Sequence, residues 1–288
     1  MITRETFALL ALHVYESTNL KNQPLVPSSW EEVPNQPPGT AGFVYAVYKN
    51  QSTGEVVIAF QGTDPIHDFR DWFTNLGRTI SQELQAAAVY KRVLQDHGSD
   101  AQGSNIYFTG HSLGGGLAAA MAVWFDRPAV VFDPAPTERV ARNVTAVAQV
   151  IDQLGANAPP PIIAYLQNPD TLFAARENNV TSYYIPGSIV REVAFDWNTI
   201  TGFAKDYPLT FGNRNMTGSY AGQIDLHSQA LLTAGVMLPA FRSATVAVQS
   251  ALPLIMSGDL YAAPRNGTEL NFLIDLIRSE QANAGNGK

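Results

Sequence analysis

The chain has 288 residues, 45% of them hydrophobic and 15% charged, so it can bury a sizeable core and is short of surface charge. Its 18 basic and 25 acidic residues give a net charge of −7. This balance argues against nucleic acid as the main partner and against electrostatic docking to anionic lipid head groups. The sequence contains no cysteine, which excludes disulfides, thiolate metal sites and a thiol nucleophile.

The N-terminal part of the chain predicts a helix followed by a β-hairpin. Residues 3–15 have helical periodicity, with Thr3 as the expected N-cap. An irregular, proline-rich loop is expected over residues 24–38. Residues 42–49 and 55–60 are rich in Val, Tyr, Ile and Phe, and the short turn between them predicts an antiparallel pair of strands. This hairpin is expected at one edge of a sheet.

The rest of the chain alternates short apolar strands with helices, which predicts a mainly parallel sheet with helices on both faces. A proline-rich break is expected at 156–161 and a loop at 198–220. The predicted elements, in order, are a helix at 82–97, strands at 105–109 and 129–132 that flank a helix at 117–125, a helix at 137–154, a strand at 180–185 and helices at 226–238 and 269–279.

A candidate nucleophile lies between the strand at 105–109 and the helix at 117–125. The segment reads Gly110, His111, Ser112, Leu113, Gly114, which is a Gly-x-Ser-x-Gly pattern. In a strand–turn–helix setting this pattern presents a serine hydroxyl at the carboxyl edge of the sheet, and glycines are needed where a Cβ would collide with neighbouring elements. The backbone N–H of Leu113 is the expected oxyanion donor. The alternative is a chance match in a glycine-rich turn.

This segment resembles the nucleophile elbow of class 3 lipases, the fungal-type lipases and their bacterial phospholipase A1 relatives. A second segment agrees, since the strand that ends at Phe60 continues as Gln-Gly-Thr-Asp and is followed by Asp71 and Trp72. Gln61 departs from the arginine that is typical of the family. The resemblance covers residues 43–136 and implies a single α/β-hydrolase domain over residues 1–288.

The resemblance also implies a second oxyanion donor and a catalytic base. It assigns the donor role to Thr63, whose alternative role is to cap its own strand-terminal turn. In an α/β-hydrolase the base follows the nucleophile in the chain. Of the five histidines, three precede Ser112 and His111 is part of the elbow, so His227 is the expected base. The alternative is a structural role for His227 at the start of a helix, with its hydrogen bonds made to neighbouring residues.

The triad acid has more than one candidate. In class 3 lipases it follows a later strand, where this chain has Ser188. Asp133 instead follows the apolar strand at 129–132, a place where some lipases of the pancreatic type carry their acid. We expect Asp133 to orient the histidine, with capping of the next helix as its alternative role. Asp196 is the second candidate acid.

These residues predict a lipid carboxylic ester hydrolase, a lipase or phospholipase A1, that acts through an acyl-enzyme. No metal or organic cofactor is required by this chemistry. The expected partner is a lipid or phospholipid at a transient membrane or micelle interface, and the oligomeric state stays open. Candidate lid or cap segments are residues 65–79 and 159–220.

Other functions and locations remain open from the sequence. A lipid acyltransferase would use the same triad, and loss of the acid would leave a non-catalytic, hydrolase-like binding protein. The first fifteen residues lack the basic start, long apolar centre and cleavage site of a signal peptide. Export without a cleaved N-terminal signal is therefore expected, with a cytoplasmic location as the alternative.

Overall fold

A seven-stranded mixed sheet forms the centre of the part of the chain that the structure describes. The structure is a computed structural model, and it describes residues 1–15, 26–40, 42–62, 80–100, 103–136, 138–186, 188, 205–209, 232–233 and 235–237. The strands are β1 Trp30–Glu32, β2 Tyr45–Asn50, β3 Val56–Phe60, β4 Ile106–His111, β5 Ala129–Phe132, β6 Val180–Tyr184 and β7 Lys205–Pro208. They lie in the sheet in this same order.

The first three strands are antiparallel and β3 to β7 are parallel. The predicted edge hairpin is therefore confirmed. Its turn is held by Asn50, whose side-chain oxygen accepts from the backbone N–H groups of Ser52 and Thr53, and Gly54 closes it at a φ of +72°. The α/β-hydrolase type of sheet that the sequence predicts is confirmed in this arrangement.

Helices cover both faces of the sheet. The described helices are α1 Arg4–His13, α2 Ser81–His97, α3 Ser112–Phe125, α4 Glu138–Ala141, α5 Val144–Leu154, α6 Pro160–Gln167 and α7 Pro169–Arg176. One core cluster joins α2 to α7 with one face of the sheet, and a second joins α1, Leu232 and Val236 with the other face. Every residue of α3 is buried, so this helix forms the centre of the larger core.

The N-terminal helix begins as the sequence predicts. The Thr3 hydroxyl oxygen accepts a hydrogen bond from the N–H of Thr6 at 3.2 Å, which confirms the N-cap. The helix buries Phe7 and Leu10 against the sheet. Because this packing fixes the C-terminal end of the helix over the sheet, it also positions Tyr15, the residue that closes this part of the described chain.

Several predicted boundaries are wrong. The helix expected at 137–154 is divided, because Asn143 caps a new helix by accepting from the N–H groups of Thr145 and Ala146. The break expected at 156–161 instead contains the start of α6, where Pro160 occupies the first turn. Short strands lie inside two predicted loops, at 30–32 and 205–208.

The first candidate lid, residues 65–79, and the predicted helix at 269–279 lie outside the described residues. The second candidate cap, residues 159–220, includes helices α6 and α7 and strands β6 and β7, and its role as a cap stays a prediction. The single-domain organisation also stays a prediction. Among the described residues, no helix combines the length and the apolar character needed to cross a membrane.

Candidate active site

The junction between β4 and α3 is a sharp turn at Ser112. The strand ends at His111, the helix starts at Ser112, and Ser112 has a φ of +56°, in the left-handed region that few residues other than glycine adopt. Ser112 is 4% exposed. A buried serine in this strained conformation, at the carboxyl edge of a parallel sheet, has the geometry of a nucleophile elbow.

The two glycines of the motif allow this turn to form. A Cβ on Gly110 would lie 2.5 Å from the carbonyl group of Gly114 and 2.7 Å from the carbonyl oxygen of Phe60. A Cβ on Gly114 would lie 2.1 Å from the same Phe60 oxygen. All three distances end on backbone atoms, which cannot rotate away. Helix α3 therefore approaches the ends of β3 and β4 only because these positions carry no side chain.

The end of β3 lies directly beside Ser112. A Cβ placed on Gly62 would be 2.8 Å from the carbonyl oxygen of His111 and 3.1 Å from the Cβ of Ser112. Thr63, the predicted oxyanion donor, is the next residue along the chain and lies outside the described residues. Leu113 lies in the first turn of α3, where backbone N–H groups have no acceptor within the helix.

The Tyr15 hydroxyl connects the end of β3 to the elbow. It accepts a hydrogen bond from the backbone N–H of Gly62 at 2.9 Å, and it shares a second hydrogen bond with Nδ1 of His111 at 3.0 Å. These three residues are far apart in the sequence, and no sequence pattern singled out Tyr15. The hydroxyl therefore fixes the relative positions of the strand that leads to Thr63 and the residue that precedes Ser112.

Replacing Tyr15 by phenylalanine is expected to lower kcat by roughly 5–50-fold and to leave KM within about twofold. The Tyr15 hydroxyl makes two hydrogen bonds, and the loss of such a bond to partly buried groups costs about 1–3 kcal/mol. The loss would loosen the end of β3, which leads to the predicted oxyanion donor Thr63, rather than substrate binding. Steady-state hydrolysis of a soluble short-chain ester measures both constants.

The matched control is Tyr48→Phe, because the Tyr48 hydroxyl also bonds a histidine, Nδ1 of His13, at 2.9 Å. Tyr48 lies in the edge hairpin and not at the elbow. We expect this variant to lose stability to urea, as Tyr15→Phe does, but to keep its kcat. Equal kcat values in the two variants would show that Tyr15 acts on stability alone.

Asp133 lies on the opposite side of the elbow, directly after β5. It is fully buried and has a φ of +41°. Its N–H donates to the carbonyl of Tyr183 at 2.7 Å, and its Oδ2 accepts from the hydroxyl of Ser188. Two residues later the N–H of Ala135 donates to the carbonyl of Ser112 at 2.8 Å, so the turn that carries Asp133 is bonded to the predicted nucleophile.

The structure thus brings together the predicted site residues that it describes. Ser112, Leu113 and Asp133 lie at the carboxyl ends of the adjacent strands β4 and β5. The predicted base His227, the predicted donor Thr63 and the alternative acid Asp196 lie outside the described residues, and their roles stay predictions.

Comparison with known proteins gives three similarities. A family model described as "Phospholipase-like: Tle-like phospholipase domain" matches residues 6–216. An extracellular phospholipase A1 from Serratia liquefaciens is 30% identical over 182 residues, which cover 62% of this chain and 53% of that protein. The chain thus spans about half the length of this curated relative. The crystal structure of Lip2 lipase from Yarrowia lipolytica aligns with a TM-score of 0.43 and 15% identity, over 70% of this chain and 76% of that one.

Proposed function

The chain belongs to the Tle-like phospholipase domain family, and on this premise we propose that it is a phospholipase A1 that hydrolyses phospholipid esters through Ser112. The resemblance that the sequence motifs indicated is confirmed by the family match and by the Serratia relative. The observation that carries the proposal is the buried serine at a φ of +56° between the end of β3 and the turn that carries Asp133.

The proposed reaction has two steps. The Ser112 hydroxyl attacks the ester carbonyl while His227 takes its proton, and the protonated His227 then passes the proton to the leaving lysophospholipid oxygen. The N–H groups of Leu113 and Thr63 stabilise the oxyanion. Water, activated by His227, then attacks the acyl-enzyme and releases the fatty acid. Asp133 orients His227 throughout, and no step needs a metal or an organic cofactor.

The position of the helix supports the role given to Leu113. The residue before α3, His111, makes no side-chain cap to the helix, because its imidazole is engaged by Tyr15. The backbone N–H groups of the first turn of α3, that of Leu113 among them, lie at this end of the helix. They carry the positive end of the helix dipole, which favours the negative charge that develops on the carbonyl oxygen.

The substrate class is tested by measuring fatty-acid release from phosphatidylcholine, phosphatidylglycerol and triolein side by side. A phospholipase A1 releases the sn-1 chain and leaves a 2-acyl lysophospholipid, which mass spectrometry identifies. Because the net charge is −7, we expect phosphatidylcholine vesicles to be hydrolysed faster than phosphatidylglycerol vesicles at low ionic strength, and the difference to shrink as salt is added.

The product distribution separates this proposal from its rivals. Preferential hydrolysis of triolein would indicate that the chain is an acylglycerol lipase and not a phospholipase. Transfer of the acyl chain to an added alcohol, with little free fatty acid, would indicate an acyltransferase. Failure to release any acyl chain, together with no labelling of Ser112 by a fluorophosphonate, would leave a hydrolase-like binding protein.

The place of action is also part of the proposal. The Serratia relative is described as extracellular, which supports action on lipids outside the producing cell. The substrate would then be reached at a transient membrane or micelle interface. Assay of the culture medium against the cell lysate, with an antibody to the chain, tests this point directly.

A further inference from the structure

Two buried polar side chains lie in contact beyond the ends of β5 and β6. Asp133 follows β5, Ser188 lies a short turn beyond β6, and both are 0% exposed. The Ser188 hydroxyl donates a hydrogen bond to Oδ2 of Asp133. The two strands are parallel neighbours in register, with Phe132 opposite Tyr183, so their ends meet at the same edge of the sheet.

We infer that Ser188 is a positioning residue, whose hydroxyl fixes the direction of the Asp133 carboxylate. The inference rests on the proposed function, in which Asp133 is the triad acid. A carboxylate removed from water needs donors to remain ionised and to hold one rotamer. The Ser188 hydroxyl supplies such a donor to Oδ2 and so restricts the rotation of the carboxylate.

Backbone contacts fix both partners of this hydrogen bond. The N–H of Ser188 donates to the carbonyl of Ile185 at 3.2 Å, and Ile185 is 1% exposed, so the turn that carries Ser188 is packed against the core. The N–H of Asp133 donates to Tyr183, a residue of β6 itself. The backbones of both partners are therefore held by hydrogen bonds of their own.

The same geometry makes an exchange of the two side chains feasible. Aspartate is longer than serine by one heavy-atom position, and the Ser188 oxygen already touches the Asp133 carboxylate. In the double variant Asp133→Ser/Ser188→Asp, the carboxylate would start from the turn after β6 and occupy nearly the same space. The serine now at position 133 would supply the hydroxyl, so charge and hydrogen-bonding groups are conserved.

The first test is Ser188→Ala in the full chain. We expect kcat on a soluble ester to fall by roughly 5–50-fold and KM to stay within about twofold, because a donor to a charged group is lost at a point that does not contact the substrate. The rate of fluorophosphonate labelling of Ser112 should fall in proportion. The matched control is Ser182→Ala, another fully buried serine in β6, which should lower stability without lowering the labelling rate.

The second test compares the double variant with Asp133→Ser alone. We expect Asp133→Ser to reduce the labelling rate strongly. The double variant should be labelled at least about tenfold faster than Asp133→Ser. Urea unfolding of each variant shows whether it is folded. A folded double variant that labels no faster than Asp133→Ser, or a Ser188→Ala variant with wild-type kcat and labelling rate, overturns the inference.

Failure of the inference can be told apart from failure of the proposed function. Ser112→Ala reports on the function, because it removes the nucleophile and leaves Asp133 and Ser188 in place. If Ser112→Ala is inactive and Ser188→Ala behaves like the wild type, the enzyme stands and the inference falls. If Ser112→Ala keeps the wild-type activity, the proposed function falls and the inference with it.

Discussion

Replacing Ser112 by alanine is expected to lower kcat for ester hydrolysis on the order of 10⁴–10⁶-fold, because the acyl-enzyme of the proposed mechanism can no longer form. The oxyanion donors and the binding surface remain, so a small residual rate above that of water is expected. Fatty-acid release from phosphatidylcholine vesicles measures the loss. Lipid binding, measured by sedimentation with the vesicles, should stay within about twofold of the wild type.

Ser112→Gly is the matched control for the backbone. The φ of +56° costs a residue with a Cβ about 1–2 kcal/mol, and glycine avoids this cost. We therefore expect Ser112→Gly to be as inactive as Ser112→Ala and to resist urea better. Comparable hydrolysis by both variants and the wild type would exclude Ser112 as the nucleophile, and it would do so independently of any effect on folding.

Much of the sheet could be predicted because its central strands are short apolar runs with clear boundaries. Strand β5 is found at 129–132, as predicted, and β4 begins within one residue of the prediction. The elbow was predictable because its glycines are required by local collisions with Phe60 and Gly114. A requirement for glycine at two defined positions appears in the sequence as a fixed spacing between the two glycines.

The elements that the sequence did not predict contain residue types that can serve more than one structural role. Prolines at 159–161 suggested an interruption, but proline is well suited to the first turn of a helix, and α6 begins at Pro160. Strand β1 is only three residues long and is formed by pairing with β2, so its own sequence carries little signal. In both cases the local sequence is compatible with two structures, and the tertiary contacts determine which of them forms.

Buried polar groups were also beyond sequence reasoning. Arg176 donates from one guanidinium nitrogen to the carbonyls of Val123, Trp124 and Pro161, and burial lowers its pKa. Glu83 lies in the first turn of α2, where burial raises the pKa of its carboxyl group. Each is an ordinary charged residue in the sequence, and only the packing of distant elements around it gives it a buried position.

The site itself was only partly predictable for a related reason. Ser112 and Asp133 stand at the ends of recognisable strands, so their placement follows from the topology. Tyr15 and Ser188 each connect segments that are distant in the chain through hydrogen bonds of one hydroxyl group. A hydroxyl that contacts a histidine or a carboxylate in this way leaves no spacing pattern, and one sequence alone cannot reveal it.

Asp133→Asn is expected to lower kcat by roughly 10³–10⁴-fold with little change in KM, because in the proposed mechanism an amide no longer selects the histidine tautomer that accepts the Ser112 proton. Asparagine tolerates the φ of +41°, and its side-chain oxygen can still accept from Ser188, so the variant should fold. Asp196→Asn is the competing substitution. Loss of activity in that variant, with Asp133→Asn active, would move the acid to Asp196. The position of Asp133 favours the first result, because its turn is bonded to the carbonyl of Ser112 through Ala135.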